Sequence, residues 1–224
     1  MKKTIINSLC VGLLSLISYG QGITSIDVST EKLYMSSDTS RPIDALGSPY
    51  INENFLPLKV KGYDNQIFTG RYNAYNGEME VNLGTKVIAL DKSQPYEVIF
   101  TQTNKIYRTY TYSTSSGISK NGFLNVVNSG ENFELLKEET IKYYDKVPAA
   151  TSYQQDKPAK FVEEDPNFYI KKGETVKPLP SRKKDLLRAY SKDAKKIKAY
   201  LKSEKISLKD ENDLSKLAQF LVTL

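Results

Sequence analysis

The chain has 224 residues, of which 26% are charged and 39% hydrophobic, and its formal net charge is +6. These values are typical of a globular protein with one large domain, or one domain and a small appendage. The chain has no His, and Cys10 is its single Cys. Beyond the N-terminal segment, this excludes Ser-His-Asp and Cys-His catalysis, zinc sites of the usual His and Cys kind, and disulfide bonds.

The N-terminal 20 residues have the three parts of a secretory signal peptide. Lys2 and Lys3 provide the positive charge, an apolar stretch covers residues 5–17, and Ser18 and Gly20 are small residues at the cleavage positions. The apolar stretch is shorter than the roughly 20 residues that span a bilayer. We therefore predict export, cleavage after residue 20, and a mature protein that is periplasmic or associated with the outer membrane, with release to the exterior less favoured.

Residues 21–50 mix short apolar pieces with Ser, Thr, Asp and Pro, which predicts an extended N-terminal arm. Residues 51–175 have strand periodicity and predict one antiparallel β domain. Its strand candidates are 55–60, 66–75, 78–81, 87–90, 96–101, 105–112, 123–127, 133–138, 140–145, 161–162 and 168–171. Asn76-Gly77 predicts a type I′ hairpin turn, and Asn121-Gly122 is expected to begin another strand.

Residues 180–224 change to helical periodicity and predict two or three short helices, packed on the β domain as a hairpin. Ser181 is the expected N-cap of the first helix, with a break at residues 191–193. Ser207 is the expected start of the last helix, with Asp210 three residues later as in a capping box. The fold class is therefore mainly β (α+β): an antiparallel meander with a curved sheet, closed as a barrel or packed as a sandwich, and C-terminal helices.

Two stretches of the chain, GSPYINENF at 47–55 and RYNAYNGEMEV at 71–81, are similar to a family of uncharacterised secreted proteins from Bacteroidetes-type bacteria. The ending, from KKDLLRAY to KISLKDENDLSKL, resembles that of the same proteins. The resemblance covers most of the mature chain. It implies no activity and assigns no functional residues, because these motifs are not of a catalytic kind.

The first candidate site is basic. Residues 182–205 contain ten basic and three acidic side chains, which suggests a surface for anionic partners. The solvated face of an ordinary amphipathic helix is the alternative, and the pattern favours it. The patch residues are Arg182, Lys183, Lys184, Lys195, Lys196 and Lys198. An acidic stretch at 131–165 could attract the basic helices to the sheet.

The second candidate site is aromatic. Five tyrosines could line a sheet face that stacks on sugars or on a partner protein, namely Tyr72, Tyr75, Tyr107, Tyr110 and Tyr112. Cross-strand packing of these rings in the core is the favoured alternative. Glu78 and Glu80 are spaced for carboxylate hydrolysis, but the wet face of a half-buried strand explains them better.

These patterns predict an exported, non-enzymatic binding or accessory protein of the cell envelope, such as a soluble subunit of an outer-membrane assembly. A carbohydrate- or lipid-binding module on a tyrosine-lined sheet is the alternative, and a carboxylate-based hydrolase is less favoured. No catalytic, metal or cofactor residues are predicted. The expected partner is an envelope protein, with an anionic lipid or glycan as the alternative. Neither nucleic acid nor a transmembrane span of the mature chain is expected.

Overall fold

The structure is a computed structural model that describes residues 33–34, 45–63, 66–151 and 153–224. The predicted signal peptide and most of the predicted N-terminal arm lie outside the described residues. The strands are β1 (Leu33–Tyr34), β2 (Leu56–Val60), β3 (Phe68–Asn73), β4 (Glu78–Asn82), β5 (Val87–Leu90), β6 (Glu97–Phe100), β7 (Ile106–Ser113), β8 (Ser119–Ser129), β9 (Glu134–Glu138), β10 (Ile141–Tyr144), β11 (Lys160–Glu163), β12 (Asn167–Lys172) and β13 (Thr175–Leu179).

Eleven of these strands form one antiparallel sheet in the spatial order β1-β5-β4-β3-β2-β6-β7-β8-β9-β12-β13. Strands β10 and β11 form a separate antiparallel pair. The predicted mainly β, antiparallel fold is therefore confirmed. The sheet is a curled half-barrel, whereas the sequence left open whether the curved sheet closes as a barrel or packs as a sandwich.

The hairpin β3–β4 is present, but its predicted type I′ turn is wrong. Asn73 pairs with Glu78, so four residues form the turn instead of two. Gly77 has a φ of +66°, whereas among described residues other than glycine only Asn104 and Lys205 have positive φ. The Asn73 side chain accepts a hydrogen bond from the Asn76 backbone N–H at 3.0 Å. This bond stabilises the longer turn, because a short polar side chain replaces a backbone acceptor.

Strand β8 begins at Ser119, so Asn121 and Gly122 lie inside the strand instead of beginning it. Gly122 pairs with Tyr110, and a Cβ atom there would lie 3.3 Å from the Tyr112 hydroxyl oxygen. The absent side chain leaves room for the Tyr112 ring.

The curl is tightest at the C-terminal end of the sheet. β13 is the last strand, yet it lies within 8 Å of β7, with β8, β9 and β12 between them in the hydrogen-bonded order. β13 lies beyond the last strand candidate at 168–171, so the sequence did not predict it. Pro178 pairs with Tyr169 at the sheet edge, where its lack of a backbone donor is tolerated.

Strands β7 and β8 contribute to a different core on each face. Tyr107 and Phe123 pack in the core shared with β2–β6 and the β10–β11 pair. Tyr112 and Leu124 pack inside the curl, against Tyr169 of β12. The separation follows from the alternation of side chains along a strand.

The three helices are α1 (Lys183–Ala189), α2 (Ala194–Ser203) and α3 (Glu211–Val222). They cover the face of β9, β12 and β13 that points away from the inside of the curl, and α3 also contacts β8. A short 3₁₀ turn at Ser191–Asp193 separates α1 from α2, at the predicted break. The apolar core between sheet and helices includes Leu135, Ile170, Leu186, Ile197, Leu214 and Leu217.

Two helix starts differ from their predictions. Arg182 instead of Ser181 occupies the N-cap of α1, and it makes no side-chain capping bond. Asp210 instead of Ser207 caps α3, where its carboxylate accepts from the Asp213 backbone N–H at 3.0 Å. Asp210 caps the helix because α3 begins at Glu211, and the residue directly before a helix is the one whose side chain reaches the free N–H groups.

Among the described residues, no cation of 182–205 forms an ion pair with the acidic stretch at 131–165, so the expected attraction is not seen as an ion pair. An ion pair between the sheet and the helices has its cation on the sheet, at Lys137, and its anion on α3, at Glu211, 2.7 Å apart. Lys172 of β12 donates to the Val222 carbonyl at 2.7 Å. Because surface pairs contribute about 0–1 kcal/mol each, the buried apolar side chains dominate the docking of the helices.

Candidate functional site

The six cations of the predicted basic patch are all exposed, and they lie at and after the starts of α1 and α2. Of the ten basic residues in 182–205, only Arg188 and Lys196 form ion pairs, with Asp185 at 2.8 Å and Asp193 at 2.8 Å. Within the described part of the chain, the other eight have no carboxylate within 4.0 Å. This region is therefore a source of uncompensated positive charge.

The cations of α2 occupy positions that helix stability does not favour. Lys195 and Lys196 are the second and third residues of the helix, where the free N–H groups already carry partial positive charge. A cation near a helix N-terminus is disfavoured by about 0.3–1 kcal/mol. The pair with Asp193 offsets this cost for Lys196, whereas the stability of α2 does not explain the placement of Lys195.

The apolar sides of the three helices pack against the sheet. Leu186, Ile197, Leu201 and Leu214 are each 6% exposed or less. At 100° per residue, Lys195 and Lys202 lie about 140° and about 120° from the middle of the Ile197–Leu201 stripe, and Lys198 lies beside it at about 80°. The outward surface is thus polar and cationic, and these helices do not offer a membrane the continuous apolar face that an interfacial helix inserts.

The five predicted tyrosines do not form an open stacking face. Tyr72, Tyr107 and Tyr112 are 5% exposed or less, which corrects the hypothesis of an accessible ring surface. Tyr107 and Tyr112 also lie in different cores. Tyr110 is half-buried and donates to Glu134, while the half-exposed Tyr75 packs edge-on against Phe161. The favoured alternative, tyrosine packing in the core, describes most of these rings.

Glu138 is the polar centre of the core inside the curl. Its carboxylate accepts hydrogen bonds from the hydroxyls of Tyr112 at 2.8 Å and Tyr169 at 2.7 Å, and from Lys120 Nζ at 3.3 Å. Burial raises the pKa of Glu138, but the bonds from Tyr169, Tyr112 and Lys120 outweigh it and hold the pKa below its usual value. Burial and the Glu138 charge raise the pKa of both tyrosines.

Glu139, the next residue, faces the other core. It accepts hydrogen bonds from the Tyr107 hydroxyl and, at 2.9 Å, from Lys105 Nζ, and Lys137 Nζ lies 3.7 Å away. Burial, and then the Glu139 charge, hold the Tyr107 pKa well above its usual value. These two neighbouring carboxylates are therefore occupied by donors from the strands around them.

A third buried carboxylate, Glu80, corrects the expectation of a wet strand face. It is 2% exposed and accepts from Arg71 Nε at 2.8 Å and from the Tyr50 hydroxyl at 3.2 Å. The Arg71 guanidinium lies between the rings of Tyr50 and Phe55, 3.6 and 4.4 Å from their centroids. Burial, then the Glu80 charge, raise the pKa of Tyr50 to about 12. Residues 50–55 thus cover this strand face.

A pocket of about 170 Å³ lies beside this cluster, between residues 51–56, β3 and the β6–β7 turn. Its floor includes Leu56, Phe100 and Tyr107, and Arg71 and Lys105 lie at its sides. The sequence did not indicate this pocket, because its lining comes from three segments that are separate in the chain. A larger cavity of about 510 Å³ lies at the β8–β9 and β12–β13 turns, and charges of both signs line it.

Among the described residues, no group of three or more Asp, Glu, His or Cys side chains is arranged to hold a metal ion. No described helix is both long and apolar enough to cross a membrane. Comparison of the chain with protein-family models, with curated proteins and with solved structures finds no match.

Proposed function

We propose that the chain is an exported, non-enzymatic binding protein of the cell envelope, which docks through the basic surface of α1 and α2 onto an acidic face of another envelope protein. A soluble accessory subunit of an outer-membrane assembly fits this description. The observation that carries the proposal is the set of eight exposed, uncompensated cations in residues 182–205. Such a surface raises the rate and specificity of association with a partner of opposite charge.

The burial of the helices' apolar stripes supports a protein partner over a membrane. Leu186, Ile197 and Leu201 pack on the sheet, so attraction to lipid headgroups would act without apolar insertion. Electrostatic attraction alone is screened beyond about 8 Å at physiological salt. A shaped acidic protein surface adds short ion pairs and hydrogen bonds to that attraction.

The hydrogen bonding of the buried carboxylates supports a non-enzymatic role. Among the described residues, the buried acids are Glu80, Glu138 and Glu139, and each accepts hydrogen bonds from at least two side chains. A general acid needs a raised pKa and access to substrate, whereas the Glu138 pKa is lowered. The bonding of these groups suits a scaffold better than a hydrolase. The signal-peptide pattern in residues 1–20 supports export.

The test is mild crosslinking of the mature protein in its native envelope, followed by purification and mass spectrometry of what is attached. Lys195→Glu/Lys198→Glu reverses two unpaired charges of the patch, and Lys59→Glu/Lys86→Glu makes the same change at exposed lysines of the β domain. We expect a stoichiometric protein partner that the control variant retains and the patch variant loses.

Salt and lipid provide the second arm of the test. The isolated complex should weaken steadily between about 50 and 300 mM NaCl, because exposed ion pairs are screened. Recovery of the protein alone, equal recovery of the partner by both variants, or binding to anionic vesicles without a protein partner would each overturn the proposal.

A further inference from the structure

The two ion pairs beside the 170 Å³ pocket have the same orientation. Arg71 pairs with Glu80 at 2.8 Å, and Lys105 pairs with Glu139 at 2.9 Å. In both pairs the carboxylate is buried and the cation is the more exposed member: 19% against 2%, and 38% against 3%. Each pair therefore presents its positive end toward the pocket.

The residues that line the pocket include no Asp or Glu, and the uncharged polar ones include Asn52 and Thr103. Lys105 Nζ has three donor hydrogens and, within the part of the chain that the structure describes, donates to one acceptor, Glu139. It therefore retains the capacity to donate to a further acceptor. The side of the pocket is thus rich in donors and positive in sign.

The floor of the pocket is apolar and rigid. Phe100 and Tyr107 pack edge to face with centroids 5.8 Å apart, and Tyr72 lies 4.9 Å from Tyr107. The Tyr72 hydroxyl donates a hydrogen bond to the Phe123 carbonyl, and the Tyr107 hydroxyl donates one to Glu139. An apolar floor with a few convergent polar groups is the usual composition of a small-molecule site.

We propose that this pocket binds a small organic carboxylate whose body is about the size of one ring. The carboxylate accepts hydrogen bonds from Lys105 and the neighbouring polar side chains, and the body rests on Leu56 and Phe100. The size follows from the volume of about 170 Å³, which is below the roughly 300–1,000 Å³ of sites for drug-sized ligands. This site goes beyond the proposed docking of the helices, because it uses different residues in a different core.

Benzoate and benzamide are suitable probes, because they have the same size and shape but differ in charge. In a ¹⁵N NMR titration of the mature protein, we expect saturable benzoate shifts centred on Phe100, Thr103 and Lys105. Benzamide should bind at least about tenfold more weakly, because a charge-assisted hydrogen bond is stronger than a neutral one.

Lys105→Gln should weaken benzoate binding at least about fivefold and leave benzamide binding nearly unchanged. Lys61→Gln is the matched control, because Lys61 also pairs with a glutamate but does not line the pocket. If Lys105→Gln does not fold, Asn54→Trp at the exposed rim should abolish benzoate binding by filling the pocket.

Three results would overturn this inference. They are the absence of saturable shifts at the pocket residues, equal affinity for benzoate and benzamide, and unchanged benzoate binding in the folded Lys105→Gln or Asn54→Trp variant. None of these results depends on whether the helices have a protein partner, so the two proposals fail independently.

Discussion

The rings of Tyr112 and Tyr169 meet edge to face, with centroids 4.9 Å apart, and both hydroxyls donate to the one carboxylate of Glu138. Tyr112 lies on β7 and Tyr169 on β12, with β8 and β9 between them in the sheet. The two rings meet only because the sheet curls. Glu138 therefore joins distant parts of the sheet inside the curl.

Glu138→Gln should lower the free energy of unfolding by about 2–3 kcal/mol, because the buried hydroxyls lose a charged acceptor. Urea denaturation followed by far-UV circular dichroism measures this change. Glu131→Gln is the control: Glu131 is exposed, and its replacement should change stability by less than about 0.5 kcal/mol. Equal stability of the two variants would contradict the role of Glu138 in the core.

The pH dependence of unfolding should have two limbs. Because the folded pKa of Glu138 is lowered, its stabilising effect is present above its usual pKa, about 4.3, and is lost as pH falls through the folded value. Because the folded pKa values of Tyr112 and Tyr169 are raised, their effect is present below about pH 10 and is lost as pH rises.

Tyrosinate absorbance at 295 nm separates the alkaline limb from other effects. We expect the buried tyrosines to ionise only together with unfolding, and Tyr169→Phe should make the alkaline loss of stability less steep. Ionisation of every tyrosine near pH 10 in the folded protein would contradict the burial of these rings.

Arg71→Lys should destabilise the fold by about 2 kcal/mol, although it preserves the charge. A lysine loses the planar stacking between Tyr50 and Phe55 and the forked donors to Glu80 and the Glu53 carbonyl. Arg182→Lys, at an exposed position without an ion pair, should change stability by less than about 0.5 kcal/mol. Thermal denaturation of the two variants is the comparison, and matching midpoints would contradict the stacked role.

Lys195→Glu should leave the fold intact or stabilise it by about 0.3–1 kcal/mol, because it places an acid in the first turn of α2. Lys202→Glu, in the last turn, should destabilise the fold by a similar amount, because the C-terminal end of the helix dipole is negative and repels an acid. Chemical denaturation of both variants tests the pair. A loss of stability in Lys195→Glu would mean that the patch lysine supports the helix after all.

Gly70→Ala should destabilise the protein by about 1–3 kcal/mol, because overpacking forces the backbone to shift. A Cβ atom at this position would lie 2.5 Å from the Glu80 carbonyl oxygen and 2.5 Å from Leu58 Cδ2. Gly84→Ala has no atom within 4 Å of its Cβ but has a φ of +84°, so only a backbone cost of about 1–2 kcal/mol applies. Urea denaturation of the Gly70→Ala and Gly84→Ala variants measures both effects. Unchanged stability of Gly70→Ala would contradict the close approach of β3 to β4.

The Arg71–Glu80 pair depends on the register of the β3–β4 hairpin, which the sequence did not predict correctly. A two-residue turn at Asn76-Gly77 sets Asn73 opposite Glu80, whereas the observed four-residue turn sets Arg71 opposite Glu80. Both registers keep the same residues on the same face, so the alternation alone cannot distinguish them. The Asn73–Asn76 hydrogen bond and the cover from residues 50–55 favour the longer turn.

The sequence by itself determined most of the strand segments, the helical stripes and the cationic surface, because each depends on local periodicity or local composition. It also excluded imidazole and thiol chemistry beyond Cys10. Only the tertiary structure decided which tyrosines are buried, that Glu138 joins β7 to β12, and that Lys105 and Arg71 flank one pocket. The physical reason is that periodicity sorts side chains between two faces, whereas the curl and the long-range pairing of the sheet decide what each face meets.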